Sequence, residues 1–186
     1  MILFISYALL ANEIEKRSLY TDILKDYVIE GLVNYAGLKD DTRLDEYITA
    51  IALTDPSQIK DESERLAFWI NAYNAYTLKI ICEEYPIKSI NELHSGGKIF
   101  GHIFGSTIWH KEIVTINNKK VSLNYIEHEV IRVEFDEPRI HFALVCAAIG
   151  CPPLLNEAYE GKRLNQQLEN QALLFFMNLK THSIFK

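Results

Sequence analysis

Within one stretch of 25 positions the chain carries Glu127, His128, Arg139, His141, Cys146 and Cys151. Two thiols, two imidazoles, a carboxylate and a guanidinium are the ingredients of acyl-transfer chemistry. In that chemistry a cysteine attacks, a histidine takes its proton and an acid orients the imidazole. A thiol attacks only as thiolate, and with an ordinary pKa of about 8.5 it needs a histidine, a cation or a helix N-terminus beside it.

Cys146 ends the run RIHFALVC, Arg139 to Cys146, which has the length and composition of a β-strand, and the small residues Ala147 to Gly150 follow. Their backbone N–H groups are candidates for stabilising an oxyanion. The plainer alternative is a buried cysteine sharing a strand face with Phe142 and Leu144. Cys151 precedes Pro152 and Pro153, so it reads as a thiol before a helical turn, as a turn residue, or as half of a short disulfide with Cys146.

In an extended strand His141 and Cys146 lie roughly 16 Å apart on opposite faces, so a direct bond between them requires the strand to break. His128 belongs to a separate helix and escapes that objection. Which imidazole serves as base stays open. Glu127 stands three residues after Asn124, the spacing of a capping box, and its functional alternative is the acid that orients a histidine.

Asn71 and Asn74 lie one turn apart on a helix, where both amides face either one cleft or one stretch of buried backbone. His94, His102 and His110 recur at a spacing that suits no metal site, and no paired CxxC element is present. No metal and no cofactor is expected. The segment His94 to Thr107 has the glycines of a surface loop but lacks a phosphate-binding signature, so a nucleotide site is not expected either.

The elements that must position these residues are mostly helical. Leu19, Ile23, Leu24, Tyr27 and Val28 recur at helical spacing up to Gly31, and Asn34 to Asp40 reads as connector. Leu44, Tyr47, Ile48 and Ile51 mark a second helix, opened by Asp41 and Thr42 and closed by Asp55-Pro56. Asp61 to Glu84 is the longest helical pattern and the expected central buried helix, with Pro86 ending it.

Ile108 to Ile116 and Val121 to Leu123 read as a hairpin around Asn117 to Lys120, and Asn124 is expected to cap a helix running to about Val133. A last helix carries Leu164, Leu168, Ala172, Phe175, Phe176 and Leu179 on one face. The fold class that follows is α+β, a mostly helical single domain over residues 1–186 packed on a small antiparallel sheet.

Composition sets the outer bounds. The 186 residues are 48% apolar and 24% charged, with 25 acidic against 19 basic side chains and a formal net charge of -6. No cationic cluster exceeds the pair Lys119 and Lys120, which argues against nucleic acid as a partner. No apolar stretch reaches the roughly 18 to 20 residues that span a bilayer. Met1 to Leu10 is apolar enough for either a buried first helix or a weak export signal, so the compartment stays open between cytoplasm and export. Three cysteines are too few for a disulfide scaffold.

The blocks FWINAYNAY (Phe68 to Tyr76), SLNYIEHEVIR (Ser122 to Arg132) and RIHFALVCAAIGCPPL (Arg139 to Leu154) resemble, in order and spacing, the domain of unknown function 547 family. The upstream DYVIEGLVNYAGLK and the downstream AYEGKRLNQQLENQALLFF extend that resemblance from about Leu19 onward. The family pattern continues beyond HSIFK, so a C-terminal tail is expected to be missing.

The resemblance implies a kept Glu-His pair at Glu127 and His128, a kept histidine at His141 and a kept cysteine at Cys146, with the position of Cys151 not restricted to cysteine. It moves Cys146 ahead of Cys151 as nucleophile. The leading functional expectation is therefore a papain-like or transglutaminase-like thiol hydrolase or acyl transferase acting on a peptide or small amide. In it Cys146 attacks, His128 or His141 is the base, Glu127 orients, and Asn71, Asn74 and Arg139 are further site candidates. Its rival is a non-catalytic binding or scaffold domain in which those polar groups form a hydrogen-bonded core.

Overall fold

The computed structural model describes residues 16–87, 107–146 and 151–183. Helix α1 covers 16–27, where the expected amphipathic spacing buries Tyr20, Ile23 and Leu24. It runs straight into a two-residue-strand hairpin, β1 (Val28–Ile29) and β2 (Leu32–Val33), with Val28 opposite Val33. Glu30 and Gly31 make the turn at φ 51° and 79°. Gly31 is required twice over, because any side chain there would also collide with Pro153.

The expected connector after it instead forms α2 (Tyr35–Leu38), because the Asn34 side chain accepts a hydrogen bond from the Gly37 N–H and so caps a single turn. Helix α3 (Thr42–Leu53) starts at Asp41, whose carboxylate accepts from the Arg43 N–H, and gives way to a 3-10 turn at Pro56–Gln58. Both boundaries match the capping and proline signals in the sequence.

Helix α4 (Glu62–Glu84) is the centre of the molecule. Asp61 caps it, and 15 of its 23 residues are buried, including the amides Asn71 and Asn74. A helix buried around most of its circumference must be surrounded, and the core joins it to residues of α1, α2 and α3, the second hairpin and the C-terminal helix.

That hairpin, β3 (Val114–Ile116) with β4 (Lys119–Val121), is shorter than the sequence pattern, since Ile108–His110 form a 3-10 turn. Asn117 and Asn118 both take positive φ, 48° and 60°, the left-handed pair a two-residue hairpin turn needs. The Asn118 N–H donates to Ala52 O, so the turn is tied to α3.

Helix α5 begins at Leu123–Tyr125, passes through a π-helical stretch at Ile126–Ile131 and ends at Arg132–Glu134. Its cap is Ser122, whose hydroxyl accepts from the Tyr125 N–H, rather than Asn124. The cap is therefore displaced by two residues, the expected capping box does not form, and Glu127 is free of it.

The largest correction concerns the expected strand Arg139 to Cys146. Pro138–Phe142 is a 3-10 helix, started by Pro138 and by a Glu137 side chain that accepts from the Arg139 N–H. The polar backbone beyond it is satisfied by a side chain and not by a neighbouring strand: Asn74 takes up Ala143 O and the Val145 N–H. With the carbonyl and N–H already paired, no ladder forms.

A 3-10 turn at Gly161–Arg163 leads into α6 (Leu164–Ser183). Leu164, Leu168 and Gln171 are buried, whereas Phe176, expected on the same face, is exposed while still contacting the ring of Phe142. The architecture is thus α+β and mostly helical, with two separate two-stranded antiparallel sheets among the described residues where one was expected.

Candidate functional site

The site candidates are arranged around α4. Asn74 reaches out of that helix with both ends of its amide engaged: Nδ2 donates to Ala143 O at 2.9 Å and Oδ1 accepts from the Val145 N–H at 3.0 Å. One turn earlier Asn71 does the same to a different segment, donating to Tyr159 O and accepting from the Tyr159 N–H, both at 2.8 Å. The spacing that puts two amides on one helix face thus pins two distant stretches of chain to it. They anchor buried backbone, the second of the two roles their positions allowed, though to two stretches and not to one.

Cys146 follows immediately on the stretch that Asn74 holds, and is half-buried. Its sulfur is joined in a disulfide to Cys151, with the Cα atoms 6.1 Å apart. The residues between them, including the expected oxyanion turn Ala147 to Gly150, lie outside those described. The chain is anchored again on the far side of the bridge, where Gln171 Nε2 donates to Pro153 O at 2.7 Å and the Leu154 N–H donates to Gly31 O. Cys82 is the remaining cysteine, free and buried in α4, and burial pushes its thiol up to about 11. A thiol so hard to ionise is a packing residue.

Glu127 and His128 both fall in the π-helical stretch of α5. The Glu127 carboxylate is committed on both oxygens: Arg132 donates to Oε1 at 2.8 Å, and the Tyr73 hydroxyl from α4 reaches Oε2 at 3.5 Å. Burial, and after it the adjacent Glu127 charge, raises the Tyr73 phenol above its ordinary pKa, so Tyr73 stays a proton donor. The ring of Tyr73 stacks on Trp109, with centroids 6.4 Å apart. Sequence reading placed Tyr73 on the helix stripe and gave Arg132 no role. The signal for both is positional, since Tyr73 lies between the two asparagines and Arg132 lies about one turn beyond Glu127.

His128 and His141 are both exposed. His141 stands in the 3-10 helix with its ring edge-on to Phe142. Because this segment is wound at about 2 Å per residue and not extended, the separation that an unbroken strand would impose on His141 and Cys146 does not apply. Among the described residues no hydrogen bond joins Cys146, His128, His141 and Glu127 to one another. Arg139 is engaged with the fold: it pairs with both Glu137 oxygens, at 2.8 and 2.6 Å, and reaches Glu169 and Asn165 on α6. That fork holds the Glu137 carboxyl below its ordinary pKa and ties the 3-10 helix to α6.

A groove of about 700 Å³ lies elsewhere, between α3, α4 and the second hairpin, with Ile48, Ala52, Tyr76, Ile80 and Ile113 among its walls. None of the candidate residues lines it. No cluster of His, Cys, Asp and Glu among the described residues is arranged to hold a metal ion. No helix among them is long and apolar enough to cross a membrane.

A family model described as a protein of unknown function, DUF547, matches residues 56–176, from the 3-10 turn after α3 well into α6. No curated protein and no solved structure matches the chain.

Proposed function

The chain belongs to the DUF547 family of proteins of unknown function, and on that premise we propose that its thiol form is a hydrolase or acyl transferase acting on an amide bond. Cys146 is the nucleophile, His128 or His141 the base, and a peptide or small amide the substrate. The thiolate adds to the carbonyl, the amine leaves with the proton held by the imidazolium, and water or a second acceptor takes the acyl group from the thioester. Glu127 acts here as a positioning residue, because its bonds to Tyr73 and Arg132 fix the helical turn that carries His128.

The observation that carries this reading is the Asn74 clamp. It fixes the backbone entering Cys146 through Ala143 O and the Val145 N–H, and a nucleophile must be held to within a fraction of an ångström to be useful. A second support is the π-helical stretch at Ile126–Ile131, a rare distortion that recurs at functional sites. The likeness to papain-like or transglutaminase-like enzymes is one of chemistry, and the proposal rests on the residues.

The test is to reduce the protein, treat it with an epoxide probe for thiol hydrolases and map the adduct. The expected result is modification of Cys146, with Cys82 spared because its thiol is buried and raised. No adduct on Cys146 after reduction contradicts the proposal.

The rival, a non-catalytic binding or scaffold domain, draws on the bonds that commit Asn71, Asn74, Arg139 and Glu127 to the fold. It expects Glu127→Gln and His141→Ala to lower the melting temperature by several degrees with no change in thiol chemistry.

A further inference from the structure

The bond between Cys146 and Cys151 occupies the sulfur that the proposed chemistry needs. A bridge of this kind is either a structural staple or a reversible cap, and its surroundings decide between them. The two cysteines are five positions apart, and closing so short a loop removes little entropy from the unfolded chain. The bridge is also redundant as an anchor. On the Cys146 side Asn74 holds Ala143 and Val145, and on the Cys151 side Gln171 holds Pro153 while Gly31 holds Leu154. These bonds come from α4, α6 and the first hairpin, and none passes through a sulfur.

We propose that Cys151 is a redox cap on Cys146: the disulfide stores the protein in a locked form, and thiol–disulfide exchange releases the nucleophile without unfolding the chain. Its functional meaning rests on the nucleophile reading of Cys146. A dithiol reductant, as its thiolate, attacks one sulfur and breaks the Sγ–Sγ bond, and its second thiol then displaces the mixed disulfide. Two electrons and two protons pass to the protein, which ends as two thiols while the reductant ends as its own disulfide. An oxidised dithiol runs the exchange backwards, and the independent anchors keep both cysteines in place for reclosure. Both cysteines are half-buried and not sealed in the core.

The test uses the full chain, dithiothreitol as reductant, oxidised glutathione as oxidant, iodoacetamide labelling mapped by mass, and thermal melts. Cys146 in the wild type is expected to be labelled only after dithiothreitol and protected again, as the disulfide with Cys151, after oxidised glutathione, with a cooperative melt retained throughout. Cys151→Ser is expected to be labelled with or without reductant. Labelling of the wild type without reductant, loss of the cooperative melt on reduction, or failure of oxidised glutathione to restore protection would each overturn the cap. The rate of labelling in the reduced state is a separate readout. If Cys146 toggles on and off but reacts no faster than free cysteine, the cap stands and the hydrolase reading falls.

Discussion

The amides of Asn71 and Asn74 and the imidazoles of His128 and His141 sit at opposite extremes of burial. Both amides are almost wholly inaccessible, at 4% and 1% exposure, and each makes two bonds to backbone that has no other partner among the described residues. The two rings are exposed and have no hydrogen bond among those residues. The frame and the proposed chemistry are thereby separated in space: the buried amides hold backbone, and the two imidazoles stand where water reaches them. If that division holds, removing an amide should destabilise the fold and removing an imidazole should not.

The largest effect is expected for Asn74→Ala, which orphans a buried carbonyl and a buried N–H at about 1–3 kcal/mol each. For a chain of this size that is a fall of roughly 5 to 15 °C in melting temperature. Differential scanning calorimetry checks it, and a change under about 2 °C would dissolve the distinction.

Asn71→Ala should cost about as much, since it orphans both polar groups of Tyr159. It should leave the alkylation rate of reduced Cys146 unaltered at temperatures where the variant is folded. Asn74→Ala should change that rate, and the contrast between the two variants sharpens the claim that only one clamp serves the cysteine.

Asp41→Ala removes the α3 cap and should cost about 1 kcal/mol. The Arg43 guanidinium holds the Asp41 carboxyl down to about 2. Its folded value thus lies below the unfolded one, and its contribution is complete above about pH 4 and lost as pH falls through about 2. The gap in melting temperature between wild type and Asp41→Asn should therefore narrow between pH 5 and pH 2. A constant gap would show that the pairing does not hold this carboxyl down.

The smallest effect on stability belongs to His128→Ala and His141→Ala, each expected within about 0.5 kcal/mol of wild type as exposed substitutions. A drop of several degrees in either would favour the scaffold reading.

The two regions also differed in how far the sequence revealed them. Helix α4 was legible from its long helical pattern ended by Pro86, and α3 from Asp41 and Pro56, because those signals are local. The asparagine pair was visible as a pair, but its partners lie 69 to 88 positions away and periodicity carries no trace of them. The same long-range bonds explain the failed strand: RIHFALVC has strand composition, yet Asn74 satisfies its backbone in place of a ladder. The cap of α5 was misplaced as well: Asn124 was expected, and Ser122, two residues earlier, accepts from the Tyr125 N–H instead.

The central claim, that Cys146 is a thiol activated by a neighbouring imidazole, is met most directly by its alkylation rate against pH. Fully reduced wild type, His128→Ala and His141→Ala would be treated with iodoacetamide and the Cys146 peptide quantified. The account predicts a wild-type rate that stays high well below the ordinary thiol pKa of about 8.5 and reverts to that of free cysteine in one of the two variants. A wild-type profile that coincides with free cysteine across the range, unchanged in both variants, would contradict it.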